Sequence, residues 1–216
     1  MLKKVLLVGA LALGLSAAAF ANGNAADENV AASPCEFAPG INLGLQLGYA
    51  LTGWKNLDLA GTPLLNVNSA NNFAGRIFAG YDFHKNFALE LGYFRTFADA
   101  KLRNAVDSTD VAKITTQAID LLLKVKVPLV DCWGIYTKVG LAYLMSNFNS
   151  NTSGYTIDNS HNFNAAYGAG VEYKITSNWT TDLSWMHYNG NANISSSNFQ
   201  PNVNFFALGI SYKFTF

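Results

Sequence analysis

The sequence predicts an all-β protein: an eight-stranded antiparallel transmembrane β-barrel with short turns at one end and long loops at the other. Three observations predict it. Half of the 216 residues are hydrophobic while only 13% are charged, about half the charge of an ordinary soluble domain. The apolar residues alternate with small or polar ones in eight short segments, which is the period of a strand. The links between those segments run alternately long and short.

Charge narrows the function classes first. Fourteen basic residues face fourteen acidic ones, so nothing favours a nucleic-acid binder held by phosphate attraction. Past the N-terminus no run of about eighteen apolar residues exists, so no transmembrane helix is expected there.

Residues 1–21 read as a secretory signal peptide: Met1-Leu2-Lys3-Lys4 is basic, Val5 to Leu15 is apolar, and Ala19-Phe20-Ala21 is an A-x-A cleavage site. Removal of this segment leaves twelve basic and fourteen acidic residues. Residues 22–39 carry Pro34 and Pro39 and no periodicity, and are expected to form a periplasmic lead-in. The barrel is expected over residues 40–216.

In the first segment every odd position is apolar: Ile41, Leu43, Leu45, Leu47 and Tyr49. Similar segments follow at about 73–81, 87–95, 114–127, 133–145, 164–173, 179–188 and 204–216. Odd positions carry the larger apolar residues in segments two to seven, and even positions do so in the last, from Phe206 to Phe216. The opposite face holds nine strand glycines, with Gly75 the exception, together with Arg76, Glu90, Asp120, Lys124, Lys126, Lys138, Glu172, Asp182 and Lys213. A small, glycine-rich polar face suits a crowded lumen, and a face of Leu, Ile, Val and aromatics suits lipid. An eight-stranded barrel has an interior just wide enough for side chains to fill. On this reading Leu91→Arg impairs folding far more than Gly92→Ser.

The links after segments one, three, five and seven span about 51–72, 96–113, 146–163 and 189–203, and the other three are five residues each, beginning at Asp82, Pro128 and Lys174. Outer-membrane barrels have this alternation, with the short turns in the periplasm. Aromatics on the lipid-facing parity gather at strand ends. Tyr81, Phe87, Trp133, Tyr173 and Trp179 mark one interface; Tyr49, Phe73, Tyr93, Tyr143, Tyr167 and Phe206 mark the other. The third and fourth long links are rich in Asn and read as uncharged, hydrophilic surface loops.

The stretches Ala88-Leu89-Glu90-Leu91-Gly92-Tyr93, Leu123-Lys124-Val125-Lys126-Val127-Pro128, Ile135-Tyr136-Thr137-Lys138-Val139-Gly140, Gly170-Val171-Glu172-Tyr173-Lys174-Ile175-Thr176 and Leu208-Gly209-Ile210-Ser211-Tyr212-Lys213-Phe214 resemble, in order and spacing, the OmpA-like outer-membrane β-barrel family. The resemblance covers nearly all of residues 40–216. It implies an interior salt-bridge network at Glu90, Lys124 and Glu172. At the position of a family arginine this chain has Asp182, so Lys138 or Arg76 is expected to supply the cation instead. The terminal Tyr212, Phe214 and Phe216 resemble the signal read by the barrel-assembly machinery, which the resemblance implies as a partner together with periplasmic chaperones. OmpA proper continues into a periplasmic peptidoglycan-binding domain after the barrel, whereas this sequence stops at Phe216, so cell-wall tethering is not expected.

Catalysis finds little support, and neither a metal nor another cofactor is expected. His84, His161 and His187 fall at a periplasmic turn, in a long loop and near a strand end, without metal-ligand spacing. His187 with Ser195 to Ser197 is the one group to weigh for lipid A chemistry, and it has no defined triad spacing. The expected function is a structural and surface-interaction barrel whose lumen is largely plugged by inward salt bridges. Its partners are outer-membrane lipids and lipopolysaccharide, with host or phage ligands for the long loops. A narrow ion or small-solute pore is the alternative, and a lipid A-modifying enzyme stands third. Two further expectations concern the rims. Cys35 and Cys132 both fall on the periplasmic side, an oxidising compartment, and are expected to form a disulfide across the lower mouth. Arg95 and Lys113 are cations on the lipid-facing parity at the extracellular rim, placed to meet lipopolysaccharide phosphates.

Overall fold

The computed structural model describes residues 37–53, 65–67, 72–97, 100–104, 110–130, 132–150, 160–190 and 200–216. The signal peptide and most of the lead-in lie outside the described residues.

Eight long strands form the wall: β1 (Gly40–Gly53), β3 (Asn72–His84), β4 (Phe87–Thr96), β6 (Asp110–Pro128), β7 (Trp133–Ser150), β8 (Ser160–Lys174), β9 (Trp179–Tyr188) and β10 (Asn202–Thr215). Each pairs antiparallel with its sequence neighbour in the wall, and β1 pairs with β10 from Gly40↔Thr215 to Gly53↔Asn202, which closes the barrel. Two short strands, β2 (Leu65–Val67) and β5 (Ala100–Asn104), belong to the long links. β5 pairs with the upper end of β6, and β2 pairs with β5. The second long link is thus partly a hairpin raised above the wall rather than a plain loop. The third begins and ends as paired strand, since β7 runs to Ser150 and β8 starts at Ser160.

Alternation dictates the two faces. Leu91, Leu121, Leu141, Leu183 and Leu208 are among the large apolar side chains left exposed around the outer wall, the band that faces hydrocarbon. Wall residues of opposite parity point into the lumen, among them Arg76, Glu90, Asp120 and Lys138, all buried. Gly75, a strand glycine on the lipid side, is covered by Phe97: a Cβ at Gly75 would stand 2.8 Å from that ring. The Phe97 amide also donates to the Phe73 carbonyl at 2.9 Å.

Each periplasmic turn is tied to the next hairpin. Asn86 Nδ2 donates to the Lys126 carbonyl at 2.9 Å while the Lys126 amide donates back to Asn86 at 2.7 Å. Asn178 repeats the arrangement with Lys213, at 2.7 and 2.8 Å. In the middle turn the Lys174 amide donates to the Cys132 carbonyl at 3.1 Å, and Cys132 takes a left-handed backbone, φ 71°, an uncommon conformation for a residue with a Cβ. Aromatic side chains ring the same end: Trp133 against Tyr173 at 4.8 Å, Trp179 against Tyr212 at 4.9 Å and Tyr81 stacked on Phe216 at 6.3 Å.

Candidate functional site

The lumen holds the chemistry of this molecule, and Arg76 stands at its centre. Its guanidinium grips Asp120 with two bonds, Nε at 2.9 Å and Nη2 at 2.6 Å. It also reaches Glu90 at 3.3 Å and the Gln46 amide oxygen at 3.2 Å. A planar fork matched to a carboxylate is what arginine offers and lysine does not. β4 makes room for it: a Cβ at Gly92 would stand 2.5 Å from the guanidinium. A serine Cβ at position 92 would press on the guanidinium, so Arg76 would have to shift to admit it.

The other carboxylates are held in the same way. Glu90 receives Lys138 at 2.7 Å, with Lys124 at 3.9 Å, and Glu172 receives Lys124 at 2.7 Å. Asp182 is bound by neutral donors, the Gln46 amide at 2.8 Å and the Tyr136 hydroxyl at 2.8 Å. Gln46 thereby joins Asp182 to Arg76, and Arg76, Glu90, Asp120, Lys124, Lys138, Glu172 and Asp182 lie in one connected network. Phe78 and Tyr136 stack beneath the cations: Lys124 sits 4.1 Å above the Tyr136 ring and Arg76 5.1 Å from Phe78. Gly44 and Gly170 give these two rings their space.

A second tier lies nearer the periplasm. Asp82 accepts from Lys126 at 2.6 Å and from Lys213 at 2.7 Å. Read from sequence as the first turn residue, Asp82 is instead an inward residue of β3, because that strand continues to His84. With Asp82 included, five carboxylates (82, 90, 120, 172 and 182) face five cations (76, 124, 126, 138 and 213) in the described network, and Lys174 adds a sixth cation at the periplasmic mouth. Confined charges are tolerable in a low-dielectric interior when each is paired and its remaining polar atoms are bonded.

The extracellular half of the lumen differs. It is closed by a buried apolar cluster of Leu122, Leu144, Met186, Tyr188, Val203, Phe94 and Phe205 with several alanines. Phe94 packs 5.1 Å from both Tyr188 and Phe205. Tyr188 joins the two halves, since its hydroxyl donates to Asp120 at 3.0 Å. The expectation that inward salt bridges provide the plug accounts for the lower half alone. The sequence does carry the missing signal, in large apolar residues at inward parity, but parity assigns a face and not a height.

Residues 43–216 match the OmpA-like transmembrane domain. The chain belongs to this family. An uncharacterised protein of Coxiella burnetii (strain RSA 493 / Nine Mile phase I) is 26% identical over 99% of this chain and 100% of its own length. Outer membrane protein A of Escherichia coli O157:H7 is 25% identical over 76% of this chain, which spans only 46% of that protein. Among solved structures, Neisserial surface protein A (NspA) superposes with a TM-score of 0.58 at 18% identity, covering 83% of this chain and 100% of that one. This OmpA-like protein is a bacterial outer-membrane barrel, and its short turns face the periplasm.

The remaining expected residues of the OmpA-like barrel fall at its rims. Tyr212 and Phe214 pack 4.8 Å apart and lie with Phe216 in the periplasmic aromatic belt. Cys132 is disulfide-bonded, and Cys35 lies outside the described residues. Arg95 is exposed on the outer face of β4, opposite Gln117 of β6. Lys113 is four residues beyond Gln117, opposite Lys101 of β5, so the two cations are about 13 Å apart along the strand direction rather than side by side. Two histidines are bound locally: the Asn86 amide donates to His84 Nδ1 at 3.2 Å, and the His187 ring nitrogens lie 2.8 and 3.0 Å from the amide oxygens of Asn204 and Asn189. His161 sits on the outer face of β8, 5.9 Å from Tyr143. Ser195 to Ser197 lie outside the described residues.

Proposed function

We propose that this OmpA-like protein is a structural and surface-interaction barrel, closed to steady conduction, that presents its long extracellular links to ligands outside the cell. The observation that carries the reading is the double closure of the lumen. A balanced ion network fills the periplasmic half and an aromatic cluster fills the extracellular half. A selective pore lines itself with one sign of charge, and this lumen sets five carboxylates against six cations, Lys174 at the mouth included. The candidate network residues act here as a plug, and Arg95 and Lys113 as outer cations meeting lipopolysaccharide. The Cys35–Cys132 disulfide ties the lead-in to the lower rim. Tyr212, Phe214 and Phe216 serve assembly.

No reaction is assigned. His84, His161 and His187 sit on three different strands, and mass spectrometry of lipid A from cells with and without the protein is expected to give identical spectra. Planar-bilayer recording on refolded protein tests the closed lumen, with brief, rare openings expected. Glu90→Gln withdraws one carboxylate from Lys138 and Arg76, and is expected to raise opening frequency. Large, steady currents from the wild-type protein would put a narrow solute pore in place of this reading. Replacing Arg95 and Lys113 with Gln is expected to lower the lipopolysaccharide that co-purifies.

A further inference from the structure

We propose that the outer wall carries a binding groove for one phospholipid acyl chain of the periplasmic leaflet. A recess of about 500 Å³ is set into the wall between β6 and β10, and no charged residue lines it among the described residues. Pairing across the wall gives the recess its shape. Val125, Thr137, Ala169, Trp185 and Phe206 are direct cross-strand neighbours in one row, and Val127, Ile135, Val171 and Leu183 form the next. Both rows line the recess. Four inter-strand spacings separate Val125 from Phe206, about 19 Å, a length that suits an extended chain better than a compact solute. Strands tilt roughly 35–45° in such barrels, so the rows cross the wall obliquely.

Ala169 is the smallest side chain of the two rows, and it lies beside Thr137. Around it the wall is shallow enough to leave Gly170 half-buried, although that glycine has inward parity and its lumen side is filled by the Tyr136 ring. Elsewhere Leu121, Leu141 and Leu208 stand out from the wall. The tall side of the groove is fixed in place: the Trp185 indole donates to Asn204 at 3.3 Å and meets the Tyr167 ring edge-on at 5.9 Å. A wall ordered before the chain arrives lowers the cost of binding. The low end opens at Val127 and Ile135, one pair short of the Pro128–Gly134 pair that ends the β6–β7 ladder at the periplasmic turn. A chain entering there comes from the leaflet of phospholipids and not from lipopolysaccharide. Within hydrocarbon no hydrophobic gain separates one apolar surface from another, so close packing decides what stays bound. A chain in a groove meets wall on both sides as well as beneath, and so makes more dispersion contacts than a chain on a convex wall.

The test is native mass spectrometry of the refolded barrel, released from detergent micelles that contain 1-palmitoyl-2-oleoylphosphatidylethanolamine or, in a second arm, lipid A. One retained phosphatidylethanolamine per barrel is expected. Ala169→Phe should abolish that adduct by filling the floor of the groove. Thr137→Leu, which fills the same floor from the neighbouring strand, should do likewise. Leu141→Phe, on the same outer face but outside the groove, should leave the adduct in place. Heat-modified gel migration checks that each variant has folded. Absence of retained phosphatidylethanolamine would overturn the proposal, as would equal retention by Ala169→Phe and Thr137→Leu, or equal loss in Leu141→Phe. Retention of lipid A in place of phosphatidylethanolamine would also overturn it, because the chain would then come from the other leaflet. None of these outcomes depends on whether the lumen conducts.

Discussion

The two halves of the lumen are closed by opposite chemistry. On the periplasmic side, charged groups fill the space and each depends on named partners at 2.6 to 3.3 Å. On the extracellular side Phe94, Phe205 and Met186 fill it by contact, and Tyr188 adds a single hydrogen bond to Asp120. The first arrangement is costly to desolvate and holds only when complete, so it specifies a single geometry. The second gains free energy for every apolar group withdrawn from water and tolerates exchange of similar shapes. A damaged network exposes a charge; a damaged cluster opens a void.

Arg76→Met should separate the halves most sharply. It strands Asp120 and Glu90 without their shared cation, and loss of one member of a buried ion network costs about 3–5 kcal/mol. A lowered urea midpoint of unfolding in lipid vesicles reads this out, and an unchanged midpoint would mean that water, not Arg76, satisfies those carboxylates. Phe94→Ala breaks the other half. The cost expected is about 3 kcal/mol, the low end for removing a buried ring, because water can enter the void from the extracellular side. Its second effect is on conductance: with the lower network intact, openings should stay as rare as in the wild type. Outside the wall, Leu91→Arg should cost roughly 2–4 kcal/mol and slow assembly, while leaving conductance alone. The smallest effect belongs to the join between the halves. Tyr188→Phe removes one hydrogen bond to Asp120 and keeps the ring against Phe94, so about 1 kcal/mol should be lost.

The wall was legible because its signal is repeated. Strict alternation in Ile41 to Tyr49 fixes which residues meet lipid, and the same period in the other seven segments, odd positions outward in six and even positions outward in the last, places every wall strand. The lumen was legible only in outline. Asp82 escaped because Asp-Phe-His-Lys-Asn reads as turn composition, whereas the pairing of β3 with β4 carries Asp82 inward opposite Ala88. Gln46, Tyr136 and Tyr188 escaped because an uncharged hydrogen-bonding residue gives no hint from sequence that it serves a carboxylate across the barrel. One clue was present: glycines sit opposite the residues that need space, Gly44 facing Phe78 and Gly92 facing Arg76. Reading it requires the register between strands, and register is a property of the closed wall. β2 and β5 are too short to announce themselves, and they gain strand form by pairing with the raised end of β6.

The seam between β1 and β10 has a kinetic consequence. Fourteen residue pairs join the two wall strands most distant in sequence, so the largest loop-closure entropy falls on the contact that completes the barrel. Folding with so high a contact order is slow. Until the seam forms, β1 and β10 are open edges with apolar outer faces, a template for wrong pairing between chains. The place where this barrel shuts is therefore also where its unassembled chain is most open to mispairing.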